Sequence, residues 1–176
     1  MTGAVFLEGE KKDLRTVEEE DIEFLRDNIN KPVIRKNIGH RGPTNFHQEE
    51  GFFEEVVSIE EGTHLAITDK HSSNMAGIIS LEPKSEGVAE IGIWIDPEHH
   101  SKGFGTDASE LLIEHGFNRE RLHRIHARVL QTNEKSKSLW EKLGFTHEGT
   151  LREDYFDDGE FWNTEIYGLL EQEWNS

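Results

Sequence analysis

The sequence predicts a mixed α/β fold, in which helices cover both faces of a central sheet. Short apolar runs of period two alternate along the chain with amphipathic stretches of helical period. An Asp-Asp-Gly turn near the C-terminal end predicts a hairpin. The 176 residues contain no internal repeat and no linker-like segment. We therefore expect one domain over residues 1–176.

The first half of the chain is predicted to hold three strands and two helices. They are a strand at 13–17, a helix at 18–28, a helix at 45–58, and strands at 64–68 and 75–81. The first helix places Ile22, Leu25 and Ile29 on one face, and Asn45 is the candidate N-cap of the second. The relatively basic segment 31–44 is predicted to be an irregular loop, and D-K-H-S-S-N to be a hairpin turn.

The second half is predicted to hold four strands and two helices. The strands cover 88–95, 124–130, about 145–152, and 161–170, and the helices cover 105–118 and 136–143. The strand at 88–95 alternates, with Ile91, Ile93 and Ile95 on one side and Gly92 on the other. The turn at 157–159 joins the last two strands.

A glycine-containing loop, H-S-K-G-F-G, leads from the strand at 88–95 into the next helix. Gly103 and Gly105 would let the backbone approach a phosphate, and the helix start supplies free N–H donors. Lys102 adds a mobile positive charge. We interpret the loop as a pyrophosphate site; the alternatives are a simple tight turn and a dinucleotide site. The dinucleotide alternative is disfavoured, because Ala108 replaces the third glycine and no acidic residue ends a second strand about 20 residues on.

A second motif, N-E-K-S-K-S-L-W-E-K-L-G-F at 133–145, follows the strand at 124–130. Together the two motifs resemble the GNAT superfamily of acetyl-CoA-dependent N-acetyltransferases, which carry R/Q-x-x-G-x-G/A and N-x-x-S…Y-E-K-x-G-F. The resemblance spans about residues 13–170. The E-G-T-L-R segment at 148–152 and the early L-R…D-I pattern resemble the ribosomal-protein N-terminal acetyltransferase branch.

The resemblance implies a GNAT-like, mostly antiparallel sheet whose fourth and fifth strands, here 88–95 and 124–130, splay apart. Acetyl-CoA would enter the opening as co-substrate. The implied reaction moves its acetyl group to a primary amine, with the N-terminal α-amine of a protein, such as a ribosomal protein, as the expected acceptor. One alternative is a small amine: a polyamine, an amino acid or an antibiotic. An alternative of another class is a non-catalytic acetyl-CoA-binding regulator.

The resemblance also implies a set of cofactor contacts. Backbone groups of Trp94 and Ile95 would bind pantetheine, and the loop would hold the pyrophosphate. The full set is Trp94, Ile95, His100, Ser101, Lys102, Gly103, Phe104, Gly105, Thr106, Asn133, Ser136 and Trp140. His100 stands where the family has Arg or Gln. Because an imidazole is only partly charged near neutral pH, His100 is either a weaker phosphate partner or a solvent-exposed residue.

Acetyl transfer to an amine requires a group that takes the amine's proton and a way to protonate the thiolate. Glu90, on the splayed strand, is the first candidate base; its alternative is a sheet-face residue or an ion-pair member. Asp154 is the second candidate base, because the segment around it resembles the one that supplies a base in the ribosomal-protein branch. Trp140 occupies the position of the family's usual Tyr, and an indole donates hydrogen bonds but not protons. Ser136 resembles the serine that some ribosomal-protein acetyltransferases place near the thiol.

The composition limits the remaining function classes. The chain has 36 Asp and Glu against 19 Lys and Arg, a net charge of −17, which argues against nucleic-acid binding. Such a surface suits a salt-adapted, halophilic cytoplasm; an ordinary acidic protein that attracts cationic amines is the alternative. No cysteine is present, and the 10 histidines lack the spacing of a zinc site, so we expect no metal. We also expect no membrane partner and a cytoplasmic location. The sequence does not determine the oligomeric state, and a homodimer is one assembly to be tested.

Overall fold

A computed structural model of the chain describes residues 3–59, 61–72 and 74–174. Its strands are β1 Val5–Glu8, β2 Lys12–Thr16, β3 Thr63–Asp69, β4 Met75–Ser85, β5 Val88–Ile95, β6 Arg124–Leu130, β7 Thr146–Asp157 and β8 Glu160–Leu170. They form one sheet in the order β1-β2-β3-β4-β5-β6-β8-β7. The β5–β6 pair is parallel and the other neighbours are antiparallel. The predicted mixed, mostly antiparallel sheet is therefore confirmed.

Helices lie on both faces of this sheet. They are α1 Ile22–Ile29, α2 Pro32–Ile38, α3 Phe46–Phe52, α4 Phe104–Asn118 and α5 Glu134–Lys142. On one face, Leu112 and Ile113 of α4 are fully buried in the larger apolar cluster. On the other, Leu25 of α1 packs in a smaller cluster with Ile78 of β4. No helix in the described part of the chain is long and apolar enough to cross a membrane.

The most important departure from the sequence prediction is α2, which replaces the expected irregular loop at 31–44. Pro32 occupies the first turn of this helix, where its missing N–H costs nothing and its fixed φ favours helix. Gly39 ends the helix with φ at 74°, a conformation that glycine adopts easily. Within the helix Ile34 alone is buried, so the apolar period that would reveal a helix is absent.

Two other elements refine the predictions. Strand β1 was not expected, because its exposed Val5 and Phe6 lie on an edge strand with no buried alternation. Because β1 adds one strand before those predicted, the two strands expected to splay apart, 88–95 and 124–130, are the fifth and sixth strands of the structure, β5 and β6. Asn45 is confirmed as an N-cap, since its Oδ1 accepts a hydrogen bond from the Gln48 N–H at 3.0 Å. The predicted β3–β4 hairpin is also confirmed, although Ser73 of its turn lies outside the described residues.

Strands β5 and β6 separate after a short paired stretch. They pair at three positions only, Val88 with Arg124, Ala89 with Ile125 and Glu90 with His126. Beyond Glu90, β5 continues to pair with β4 as far as Ile95, while β6 continues with β8. The remaining half of β5 therefore presents unpaired backbone groups to an opening in the middle of the sheet.

Candidate active site

Two cavities meet at the opening between β5 and β6. The first, here called the loop cavity, has a volume of about 490 Å³ and is bounded by α2, the 99–106 loop and α5. The second, the sheet cavity, has a volume of about 590 Å³ and lies over β4, β5, β6 and β7. Six residues line both cavities: Asn37, Ile38, Ile93, Trp94, Asn133 and Ser136. A molecule held in one cavity would therefore contact a molecule in the other at this shared wall.

The loop cavity gathers most of the predicted cofactor contacts. Its lining includes Trp94, Ile95, His100, Ser101, Gly103, Phe104, Gly105, Thr106, Asn133 and Ser136. Gly103 has φ at 83° immediately before α4, which turns the chain into the helix and leaves its first N–H groups facing the cavity. Lys102 is exposed outside this lining, and Trp140 lines the sheet cavity instead.

His100 forms a bridge at the edge of the loop cavity. Its Nε2 lies 2.8 Å from the carbonyl oxygen of Ile95, and its Nδ1 lies 3.2 Å from the Nζ of Lys135. A carbonyl oxygen accepts and an ammonium donates, so the two contacts match the tautomer that carries its proton on Nε2. His100 is half-buried, and both His100 and Lys135 line the loop cavity. Lys135 was missed by the sequence analysis, because its contact with His100 spans 35 residues.

Ser136 and Trp140 form a hydrogen-bonded pair one turn apart on α5. The indole Nε1–H of Trp140 donates to Ser136 Oγ at 3.0 Å. Trp140 is only 2% exposed, so its ring is fixed by core packing. The hydrogen bond occupies an acceptor site of Ser136 Oγ and leaves the hydroxyl proton for another partner. The Oδ1 of Asn133 accepts from the Ser136 N–H at 3.2 Å and so caps the same helix.

Glu90 lines the sheet cavity at the point where β5 and β6 separate. Its Oε2 lies 3.5 Å from His126 Nε2 and 3.6 Å from Lys84 Nζ. The hydrogen bond with His126, followed by the charge of Lys84, lowers the pKa of Glu90 despite partial burial. Glu90 is therefore a member of an ion pair, which was the alternative to its role as a base. It also lines the sheet cavity. Glu82 stands directly across from it on β4 and lines the same cavity.

Asp154, the second candidate base, also lines the sheet cavity but is engaged by a neighbour. Its Oδ2 accepts a hydrogen bond from Arg128 Nη2 at 2.8 Å. The cavity further contains His64, whose pKa is lowered by burial, and Tyr155. His64 was not predicted, because it comes from β3, far from the two sequence motifs. Tyr155 belongs to the aromatic segment near the final hairpin, for which the resemblance implied a place in the acceptor groove and core packing was the alternative. Among the described residues, no group of three or more acidic or imidazole side chains is placed to hold a metal ion.

Comparison with known proteins places these features in context. A family model described as an acetyltransferase (GNAT) domain matches residues 13–146. The solved structure of spermidine N-acetyltransferase from Vibrio cholerae, in complex with CoA and spermine, superposes with a TM-score of 0.86. That similarity is at 25% identity and covers 93% of this chain and 98% of that one.

Two sequence relatives differ in how much of the chain they match. The spermidine N(1)-acetyltransferase of Vibrio cholerae is 25% identical over 163 residues, 92% of this chain and 94% of its own length. The Bacillus subtilis protein YdaF, whose name marks it as a proposed ribosomal N-acetyltransferase, is 34% identical over 106 residues. That match covers 59% of this chain and 58% of YdaF. The similarity to the polyamine enzyme therefore extends further along the chain.

Proposed function

Because the chain belongs to the GNAT acetyltransferase family and is an acetyl-CoA-dependent N-acetyltransferase, we propose that its acceptor is a small polycationic amine of the polyamine class. The carboxylates of Glu82 and Glu90, side by side in the sheet cavity, carry this proposal. Both carboxylates contact Lys84 Nζ, Glu82 Oε2 at 3.1 Å and Glu90 Oε2 at 3.6 Å, and together they would attract a further ammonium group into the sheet cavity. The net charge of −17 would draw a polycation toward the protein from a distance.

A protein N-terminus, the acceptor expected from the sequence, is the second candidate. It is supported by YdaF, but that relative matches 59% of this chain, whereas the Vibrio spermidine enzyme matches 92%. A single α-amine also carries one positive charge and would use a pair of carboxylates less fully than a polyamine would. The family assignment favours an enzyme over a non-catalytic regulator.

Acetyl-CoA would occupy the loop cavity. The unpaired half of β5, with Trp94 and Ile95, would pair its backbone with pantetheine, and the N–H groups at the start of α4 would hold the pyrophosphate. Lys135, held by His100, would supply a positive charge beside the phosphates. These placements bring the thioester to the wall that the two cavities share, next to Ser136.

The reaction then needs two proton movements. The amine nitrogen forms a bond to the thioester carbonyl carbon, the carbon–sulfur bond breaks, and the amine loses a proton. Glu90 would hold the incoming ammonium and pass its proton to water, because a lowered pKa suits binding a cation better than storing a proton. Ser136, oriented by Trp140, would donate a hydrogen bond to the departing sulfur, and water would supply the proton that the thiolate takes up. A thiol has a pKa of about 8.5, so the thiolate leaves readily and needs little assistance from an acid.

The test is an acceptor panel with release of free CoA as the readout. Spermidine, putrescine and short peptides with Ala or Ser N-termini are compared at equal concentration in low and molar KCl. We expect kcat/KM for spermidine to exceed that for either peptide by about tenfold or more, a difference of ~1.4 kcal/mol. Glu82→Gln should reduce the spermidine value, and Glu114→Gln, on an exposed part of α4, should not. If the enzyme prefers the peptides, the polyamine proposal is wrong and the acceptor is a protein N-terminus.

A further inference from the structure

Gly92 is an exposed glycine in the middle of the sheet. It lies on β5, which has β4 on one side and β6 on the other. Of the eight described residues of this strand, it alone is exposed. Glycine weakens a strand, because it has no side chain to pack and loses more conformational freedom on folding than other residues do. A glycine at a central position therefore calls for a reason, either in the fold or in a ligand.

The backbone gives no reason for a glycine at this position. The φ of Gly92 lies outside the left-handed region that favours glycine, in contrast to that of Gly103. The pairing of β5 with β4 runs in regular register through Gly92 and Ser80, and its shift comes only between Pro83 and Ser85. An ordinary L-residue could therefore adopt the same backbone conformation at position 92.

Three other glycines lie in strands of the described chain, and each has a structural reason. A Cβ at Gly77 would collide with the carbonyl oxygen of Trp94, and a Cβ at Gly168 would collide with the carboxyl group of Glu148. Gly149 lies where the register of β7 against β8 shifts. Close packing or irregular pairing thus explains these glycines, and neither applies to β5.

The packing around Gly92 leaves room for a side chain. Within 4 Å, a Cβ built there would meet only the Oγ of Ser80, at 3.2 Å. Ser80 is half-buried and lines the sheet cavity, so its hydroxyl can turn away by rotation about one bond. Backbone conformation, register and packing would all accept a larger residue. What the glycine maintains is the open space of the sheet cavity itself.

Gly92 lies between the carboxylates and the wall that the two cavities share. Side chains alternate along a strand, so Glu90, Gly92 and Trp94 face the same side of the sheet, and all three line the sheet cavity. Two residues of strand span about 6.6 Å, which is the distance along β5 from Gly92 to either neighbour. Among the described residues that line the loop cavity, Trp94 is included and Gly92 is not. An amine that reaches from the carboxylates to the shared wall must therefore lie over Gly92.

We propose that Gly92 is a specificity-determining residue, whose missing side chain leaves the floor on which the acceptor lies. The proposal rests on the proposed function, in that the sheet cavity receives the acceptor, and it holds for a polyamine and for a peptide amine alike. A side chain at position 92 would fill this space and hold the acceptor away from Glu90 or from the thioester. The same change would favour the strand, because β-branched residues suit strands better than glycine does.

Gly92→Val tests the proposal, with Gly149→Val as the matched control. Both substitutions place the same side chain on a strand glycine that has room for a Cβ, but Gly149 lines none of the described cavities. We expect Gly92→Val to lower acceptor kcat/KM by about tenfold or more, mainly through KM, because the site is overfilled. The KM for acetyl-CoA should be unchanged, and the melting temperature should equal or exceed that of wild type. Gly149→Val should leave both KM values at the wild-type level.

A binding measurement separates this inference from the choice of acceptor. The CoA-loaded protein is titrated calorimetrically with the best amine of the panel. Affinity should fall in step with side-chain volume, by about threefold in Gly92→Ala and by about tenfold or more in Gly92→Val. If peptides are the better substrates, the polyamine proposal fails, and the same order of affinities for a peptide still supports the inference.

Two results would overturn the role of Gly92. One is acceptor affinity within about twofold of wild type in each variant that folds, since the space over Gly92 is then not used by the acceptor. The other is a melting temperature of Gly92→Ala below that of wild type, since the glycine then serves the fold. Gly92→Ala decides both points if Gly92→Val does not fold.

Discussion

The loop cavity and the sheet cavity share one wall but are built in different ways. The loop cavity is formed largely by two continuous segments, 99–106 and 133–139, and its binding groups are backbone N–H donors with a few cations. The sheet cavity draws side chains from β3 to β8 and from α2, and its central groups are carboxylates. The first cavity therefore suits a polyanion, and the second suits a cation.

From this difference we expect the two sites to tolerate substitution differently. Most substitutions leave backbone N–H donors in place. Ligand binding in the loop cavity should therefore be sensitive mainly at glycine positions, where a new side chain would enter the cavity. The sheet cavity depends on the identity of single side chains, such as Glu82 and Glu90. A change in acceptor would therefore need few substitutions, and none of them would disturb the cofactor loop.

The largest effect is expected at the shared wall, with Ser136→Ala. The hydroxyl would donate a hydrogen bond to the leaving sulfur, and loss of one preorganised donor to a charge that develops in the transition state costs about 100-fold or more. We expect single-turnover acetyl transfer at saturating acetyl-CoA to fall by about that factor. Trp140→Phe removes the indole hydrogen bond to Ser136 but keeps a packed ring, so its turnover should stay within about tenfold of wild type. A loss confined to Trp140→Phe would show that Ser136 is not the donor.

The second test separates the loop cavity from the sheet cavity through Gly105→Val. A Cβ at Gly105 would meet Leu139 at an ordinary 3.6 Å, so the fold should survive while the larger side chain enters the loop cavity. We expect acetyl-CoA binding to weaken by tenfold or more, ~1.4 kcal/mol, with the acceptor KM little changed. Gly149→Val is the control, since a Cβ there meets nothing within 4 Å. If a titration shows that folded Gly105→Val binds acetyl-CoA with the wild-type affinity, the assignment of the loop as the pyrophosphate site is wrong.

The same difference between the two cavities explains which site residues could be predicted from the sequence. Gly103 and Gly105 are two residues apart in one loop, and Asn133 and Ser136 are three residues apart in the motif that resembles the family's. Both pairs lie in short continuous segments, so a prediction from sequence could reach them, and all four residues line the loop cavity. His64 and Glu82 reach the sheet cavity through the pairing of distant strands, which spacing does not encode. The helix α2 was missed because it contributes a single buried residue to the core, so its pattern resembles a loop.

The third test compares Glu90→Gln with Asp154→Asn in the sheet cavity. Because the pKa of Glu90 is lowered, its carboxylate stays ionised at every pH above the ordinary glutamate value of about 4.3. The acceptor KM of the wild type should therefore not rise as the pH falls from 8 to about 6 through any loss of this charge. We expect Glu90→Gln to lower acceptor kcat/KM about five- to tenfold at pH 7.

The deficit of Glu90→Gln should shrink toward pH 9.5, where more of the amine is neutral and needs neither the charge nor the proton acceptor. The KM for acetyl-CoA should stay at the wild-type value in both variants. Asp154→Asn, whose carboxylate is already held by Arg128, should lose less than Glu90→Gln at pH 7. If Asp154→Asn shows the pH-dependent loss and Glu90→Gln shows none, the roles of the two residues must be exchanged.

The smallest expected effect concerns salt, and it should act on stability and binding in opposite directions. A net charge of −17 destabilises the folded state through repulsion, and at molar KCl the Debye length falls to about 3 Å. We expect the melting temperature to rise with KCl, by about 2–4 °C for each kcal/mol regained. The KM for acetyl-CoA should rise a few-fold over the same range, because Lys135 and its neighbours are screened from the phosphates.

A charge variant isolates the stability part of this response. Glu110 and Glu114 are exposed on α4, four residues apart, where two like charges oppose each other by about 0.2–0.5 kcal/mol. The double variant Glu110→Gln, Glu114→Gln should melt higher than wild type in dilute buffer and gain less from added KCl, with an unchanged KM for acetyl-CoA. The two proteins should converge at 2 M KCl, because screening removes the repulsion that the substitutions remove. A melting temperature that falls steadily from dilute buffer to 2 M KCl would contradict salt adaptation and make acceptor attraction the remaining role of the acidic surface.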